Sequence, residues 1–279
     1  MRLSRNWDSS NTRWRGSVTP NTTHALMVRL KTEEDIRGIR AAGRVVARVL
    51  RELSFCATPG VSLLELDLLA EHIIRSESAS PSFLHYRPEG ARRAYPASIC
   101  ASVNATIVHG IPGAYALASG DLLSIDVGVT KGGYVADAAT TTAVGPAPEK
   151  TKKLIHACWE ALDAGIEQCV PGKRVGDIGE AIERVAKKYS LSVAEKLTGH
   201  GVGFELHEDP LIYNTGNRNT GTKLVEGMVL AIEPMFTLGS GRVRELSDES
   251  FVTEDGSLAS HVEQTIAVTR DGARILTVE

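Results

Sequence analysis

The stretch that decides the architecture runs Leu122-Leu123-Ser124-Ile125-Asp126-Val127-Gly128-Val129-Thr130-Lys131-Gly132-Gly133-Tyr134-Val135-Ala136-Asp137-Ala138-Ala139. Two strand-like runs flank Lys131-Gly132, which reads as the turn of a hairpin. Folding the chain about that turn sets Asp126 and Asp137 opposite each other on one face, with Cβ atoms about 5 Å apart. Asp126 stands in an apolar run, where an isolated carboxylate is costly and needs a partner. Two like charges so placed repel unless a cation lies between them or they share a proton. A metal is the preferred reading; the alternative is a different register with both acids solvated.

Two further acids sit in similar surroundings. Glu233 ends the run Val229-Leu230-Ala231-Ile232, and Glu263 lies in His261-Val262-Glu263-Gln264-Thr265-Ile266. Taken singly, either reads as an edge-strand or solvated residue; four carboxylates in such places are harder to dismiss. His200 lies in Leu197-Thr198-Gly199-His200-Gly201-Val202-Gly203, a glycine-rich loop whose flexible backbone can approach a bound group closely. His207 follows in Leu206-His207-Glu208-Asp209-Pro210, and His109 in Val108-His109-Gly110. His207-Glu208 lacks the second histidine of the H-E-x-x-H zinc helix, which disfavours a mononuclear zinc peptidase of that kind. Four carboxylates and an imidazole make an oxygen-rich set suited to Mn, Fe, Co or Zn. Such a set can hold two divalent metal ions about 3.5–4 Å apart and bring a shared water from pKa about 15.7 to near 7. The implied reaction class is hydrolysis.

Working outward, residues 33–54 read as a helix, with Ile36, Ile39, Val45, Val46, Val49, Leu50 and Leu53 at three and four spacings. Thr32 caps it, ahead of the acidic first turn Glu33-Glu34-Asp35. Pro59-Gly60 ends this unit and a second helix covers 63–76. The pattern recurs: a helix over 148–169, Pro171-Gly172, and a helix over 176–189, with the motifs in register at an offset of about 112 residues. Strands are read at 98–109, 121–129, 134–143, 228–234, 248–254 and 261–269. The fold class is α+β, with two related halves, each placing helices over antiparallel strands, and a site between them.

The bulk properties fit one catalytic domain over residues 28–279. The chain has 279 residues, 42% of them hydrophobic, and a net charge of −3, so neither nucleic acid nor a membrane surface is the implied partner. No apolar run approaches the roughly 18 residues of a membrane span. Cys56, Cys100, Cys158 and Cys169 are scattered, which points to a reducing, cytoplasmic setting. Residues 1–27 are rich in Arg, Ser, Thr and Asn and read as a mobile extension. An organelle-targeting segment, or a start at Met27, is the alternative.

The ordered motifs resemble those of the type I methionine aminopeptidases, which have the pita-bread (creatinase/aminopeptidase) fold. The resemblance is carried by Ser102-Val103-Asn104 through His109-Gly110-Ile111-Pro112, Asp126 with Asp137, Gly199 to Gly203 with His207 to Pro210, Gly227-Met228 through Glu233-Pro234-Met235, and Glu263-Gln264-Thr265-Ile266. It covers about residues 28–279 and implies two pseudo-two-fold related halves with helices covering a curved antiparallel sheet. It implies Asp126, Asp137, His200, Glu233 and Glu263 as metal ligands, with Asp137 and Glu263 bridging, and Glu233 as proton acceptor. His207 would hydrogen-bond the scissile amide or the tetrahedral intermediate, and His109 would assist at the amide nitrogen. Phe83, Tyr86, Tyr95, Cys100 and Leu206 would line the methionine pocket. The implied function is removal of N-terminal methionine from nascent proteins and peptides before a small second residue, by a monomer that meets its substrates at the ribosome. The missing N-terminal zinc-binding segment suggests a bacterial-type or organellar form.

Some positions depart from the family pattern. Gly128 stands where a Thr is common, Leu206 where an aromatic usually precedes the histidine, and Arg87 to Ala94 reads as an insertion between Tyr86 and Tyr95. The competing readings are an X-Pro aminopeptidase or prolidase on the same fold, and a non-catalytic binding relative of it.

Overall fold

Helix α1 (Glu33–Cys56) starts where its cap is made. The Thr32 hydroxyl accepts from the Asp35 N–H, and Asp35 Oδ2 accepts from the Thr32 N–H, satisfying two donors that the first turn leaves unpaired. The apolar stripe read from the sequence is buried along its whole length, from Ile36 to Leu53. Each such side chain contributes roughly 1.5–3 kcal/mol on burial. Helix α2 (Leu63–Ser76) repeats the device with Ser62 and Glu65.

The computed structural model describes residues 28–279. The expected extension over residues 1–27 lies outside the described residues. After α2 come β1 (Ser80–Pro81), β2 (Cys100–Val103), β3 (Thr106–Val108), β4 (Leu122–Lys131) and β5 (Tyr134–Ala143). Helices α3 (Glu149–Ile166) and α4 (Val175–Tyr189) follow, then β6 (Ser192–Val193), β7 (Thr198–Gly201), β8 (Glu208–Tyr213), β9 (Val229–Ile232) and β10 (Met235–Thr237). The chain closes with β11 (Val243–Glu245), β12 (Phe251–Thr253), β13 (Ala259–His261), β14 (Gln264–Thr269) and β15 (Gly272–Ile275). Among the described residues no helix is long and apolar enough to cross a membrane.

The internal repeat has a structural counterpart. α2 begins at Leu63 and α4 at Val175, and 175 − 63 = 112. Glu65 and Asp177, at the same offset, each accept the backbone N–H of the residue before their helix. In the first half α1 packs on the β4–β5 hairpin, with Ile39, Val46, Val49 and Leu53 against Leu123, Ile125 and Val127, and α2 packs against α1 and β1. In the second half Leu154, Leu162, Ile178 and Ile182 pack on Leu230, Ile232, Ile266 and Val268 of the antiparallel sheet β15-β14-β9-β7-β8. The halves are joined where Glu263 N donates to Ala139 O at 2.9 Å and the Thr265 hydroxyl donates to Asp137 O at 2.7 Å.

The central hairpin differs from expectation by one residue. Its turn is Gly132-Gly133, both with positive φ (59° and 84°), the conformation a two-residue hairpin turn of this type demands. Asp126 therefore pairs with Ala139, and Asp137 with Gly128. The two acids are diagonal neighbours rather than opposite, but remain on one face because the register moves by two.

Several expected strands are broken. Residues 98–109 split into β2 and β3 around Asn104, whose φ is 57°. Residues 228–234 and 261–269 split at Glu233-Pro234 and at Val262-Glu263. Those last two breaks lie side by side: one ladder ends at Ile232 paired with Gln264, and the next begins at Met235 paired with His261. The acids Glu233 and Glu263 thus occupy a junction between ladders, where side chains are released from strict alternation.

Candidate metal centre and catalytic cavity

One cavity of about 770 Å³ gathers the nominated side chains. Asp126, Asp137, His200, Glu233 and Glu263 line it, as do His109, His207, Phe83, Tyr86, Tyr95, Cys100 and Leu206. The first half supplies Asp126 from β4 and Asp137 from β5. The second supplies His200 from β7 and the two acids of the ladder junction.

His200 sits on β7 and not in a loop. Its flanking glycines admit neighbouring backbone rather than a bound group. A Cβ on Gly199 would lie 2.4 Å from Ala231 O, and one on Gly201 2.2 Å from Asp209 O. The β8 and β9 backbones can close on this strand only because no side chain intervenes.

The electrostatics of the cluster call for a cation. Asp137, His200 and Glu263 each present a ligand atom within 4.8 Å of the others, and all three are buried. The buried oxygens Asp126 Oδ1, Asp137 Oδ1 and Glu263 Oε1 have no hydrogen-bond partner among the described residues. Native proteins rarely leave buried polar atoms so. His200 Nδ1 lies 2.9 Å from Gly201 O. A carbonyl can only accept, so Nδ1 carries the proton and Nε2 is a bare lone pair. That nitrogen faces Glu233 Oε1 at 3.6 Å and Asp137 Oδ2 at 4.0 Å. A lone pair facing carboxylate oxygens, with nothing positive between them, fits a bound divalent ion.

Protonation equilibria carry the same message. Burial raises the Asp137 carboxyl to about 7, against stabilising hydrogen bonds from Asp126 and the Ala138 backbone. Burial, then Asp137 and Glu233, raise Asp126 well above the carboxylate range. Glu263 is raised by burial and by all three other acids, and Glu233 by burial and Asp137. Burial drives His200 down to about 4. Without a cation the cluster holds protons; with one, it is a ligand set.

The remaining groups surround this centre. The His207 ring stands edge-on to His200, with centroids 4.5 Å apart, and its Nδ1 is 2.8 Å from the Tyr86 hydroxyl. His109 has φ 60°, an unusual backbone for a side chain of that size, and its ring meets Phe251 edge-on at 5.6 Å. The single Tyr95 O–H points at the carbonyls of Gly110 (2.8 Å) and Ile99 (3.1 Å), the nearer being its main acceptor, which fixes the cavity wall. Phe83, Cys100 and Leu206 are buried, giving that wall an apolar face. The segment 87–94 crosses the rim: Arg92 N donates to Glu249 Oε1 at 2.8 Å and the Arg92 guanidinium reaches Glu245 at 2.6 Å.

The sequence reading missed three groups. His261 is 2% exposed, both its ring nitrogens lack hydrogen-bond partners among the described residues, and Nε2 is 3.3 Å from Glu233 Oε2. Its place two residues before Glu263 was the only available signal. The Thr265 hydroxyl accepts the Asp137 N–H at 3.0 Å, holding that strand at the centre. Lys31 reaches Glu208 at 2.6 Å, and Glu208 also accepts the Phe204 and Glu205 N–H groups, so the loop that ends in His207 is tied down.

The chain matches the model of Metallopeptidase family M24 over residues 37–270. It is 46% identical over 252 residues to the Mycobacterium tuberculosis protein named methionine aminopeptidase 1, covering 88% of this chain and 92% of that one. The crystal structure of methionine aminopeptidase from Rickettsia prowazekii superposes with a TM-score of 0.87 at 37% identity, covering 90% of this chain and all of that one. The prolidase from Pyrococcus horikoshii shares the fold at a TM-score of 0.71 and 23% identity, with 90% of this chain matched to 64% of that one.

Proposed function

The chain belongs to metallopeptidase family M24, and on that premise we propose that it removes the N-terminal methionine from proteins and peptides by metal-dependent hydrolysis. The observation that carries this reading is the set of four largely buried carboxylates lining one cavity, three of them with oxygens that find no hydrogen-bond partner among the described residues, together with the bare Nε2 of His200 facing Asp137 and Glu233.

In this reading Asp126, Asp137, His200, Glu233 and Glu263 would hold two divalent ions. Bound there, Mn, Fe, Co or Zn would supply a water of pKa about 7 and a Lewis acid for the scissile carbonyl. The Glu233 carboxylate takes the proton of the attacking water. His207 stabilises charge developing on the scissile group, and His109, which lines the same cavity, serves the amide nitrogen. The methionine side chain lies against Phe83, Tyr86, Tyr95, Cys100 and Leu206, an apolar surface matched to a thioether. The family resemblance supports a small second residue.

The free thiols of Cys56, Cys100, Cys158 and Cys169 support a reducing, cytoplasmic setting. The family resemblance supports a monomer that acts on chains leaving the ribosome. Cleavage of Met-Ala-Ser against an X-Pro tripeptide tests the substrate class. Methionine release from the first and none from the second is expected; hydrolysis of the X-Pro peptide alone would replace this reading with a prolidase-like one.

A further inference from the structure

Two neighbouring imidazoles in the cavity are given opposite partners at Nδ1. His200 Nδ1 faces a carbonyl, Gly201 O, at 2.9 Å, while His207 Nδ1 faces a phenol, Tyr86 Oη, at 2.8 Å. We propose that Tyr86 is a positioning residue that fixes His207 in the tautomer with its proton on Nε2. Nε2, the nitrogen that Tyr86 leaves free, is then a hydrogen-bond donor to the scissile carbonyl oxygen. The inference rests on the hydrolase reading above for the identity of that oxygen, and on geometry alone for the tautomer.

The carbonyl leaves His200 no choice: Nδ1 must donate, and Nε2 is left as a ligand. The phenol leaves His207 the reverse preference. A phenolic O–H is a better donor than an imidazole N–H, and an imidazole lone pair a better acceptor than a phenol oxygen, so O–H···N is the stronger arrangement. Among the described residues Tyr86 Oη has no other hydrogen-bond partner, so nothing competes for its proton. Burial and the Glu205 charge both favour the un-ionised phenol.

The frame holds Tyr86 in place. Its carbonyl accepts the Tyr95 N–H at 2.8 Å, closing the base of the 87–94 loop, and Arg92 N clamps that loop to Glu249 at 2.8 Å. A side chain with this orientation serves an oxygen acceptor, because an amide N–H would need a lone pair from the ring. Between the scissile amide and its oxygen, the tautomer selects the oxygen.

The test uses the full chain loaded with zinc and labelled with 15N at histidine. Two-bond nitrogen–proton correlation spectra report which ring nitrogen is protonated, with His207 identified by the signals lost in His207→Ala. The expected result is Nε2–H for His207 and Nδ1–H for His200. Tyr86→Phe, which keeps the ring, is expected to return His207 to a mixture of tautomers and to lower kcat about tenfold with KM within about twofold. An Nδ1–H tautomer in the wild-type chain would overturn the proposal, as would a Tyr86→Phe chain with unchanged tautomer and kcat. The spectra need no turnover. An Nε2–H ring in a chain that releases no methionine would count against the hydrolase reading and leave the Tyr86 assignment standing.

Discussion

The Phe83 ring occupies the space that a side chain at position 128 would need: a Cβ built on Gly128 lies 2.8 Å from Phe83 Cε1 and 3.2 Å from Leu206 Cδ1. The positions that depart from the family pattern at 128 and 206 are therefore one packing solution, with Phe83 filling the shared volume. Gly128→Ala is expected to destabilise the protein by about 1–3 kcal/mol through overpacking. Adding Phe83→Leu should recover most of that loss. Thermal unfolding of the two single variants and the double variant checks this; strictly additive effects would show that the two positions are not coupled.

His261 is buried with two unpartnered nitrogens beside the Glu233 carboxylate. Residues behind a ligand set its orientation and basicity. His261→Ala is expected to weaken metal binding by about 10–100-fold, with His261→Gln, which keeps a donor, closer to wild type. Titration calorimetry with Mn measures it, and equal affinity in all three chains would remove His261 from the centre.

Stability should depend on pH in opposite ways with and without metal. Burial raises the Asp137 carboxyl from 3.8 to about 7 in the metal-free fold. Between those values the folded chain binds more protons than the unfolded one, so this contribution is complete below about pH 4 and is lost as pH rises through about 7. A bound cation replaces those protons and requires the charged carboxylates. The rise in Tm on adding metal should therefore be larger at about pH 8 than at about pH 6. The same rise at both values would show that the carboxylates do not exchange protons for metal.

Lys31 and Glu208 form a buried pair, with side chains 1% and 5% exposed. Lys31→Met removes the nearer cation, leaves the buried carboxylate with only the partly exposed Arg29 at 3.4 Å, and is expected to cost up to roughly 3–5 kcal/mol. Denaturant unfolding gives the value, and a loss below about 1 kcal/mol would mean that Arg29 and the Phe204 and Glu205 amides satisfy Glu208 without Lys31.

Much of the site could be read from the chain because charge in an apolar run is conspicuous. Asp126 and Asp137 stood out in β4 and β5, and their shared face survived an error of one residue in the turn. Choosing Gly132-Gly133 over Lys131-Gly132 required knowing that both turn residues have positive φ. Gly199 and Gly201 looked like loop because the close approach of β8 and β9 that requires them is visible only in three dimensions. His261 carried no spacing signal, and pairings such as Lys31 with Glu208 or Tyr86 with His207 join residues more than a hundred positions apart. The helices were legible throughout, since their apolar stripes and caps are local.

The central claim is that the buried carboxylates and His200 form a metal-dependent peptidase centre. The most direct measurement is free methionine released from Met-Ala-Ser by metal-stripped protein, before and after addition of Mn, Co, Fe or Zn. No release is expected from the stripped chain, with recovery on addition of at least one of these ions. Release that persists undiminished in the stripped chain, or none with any ion, would contradict it.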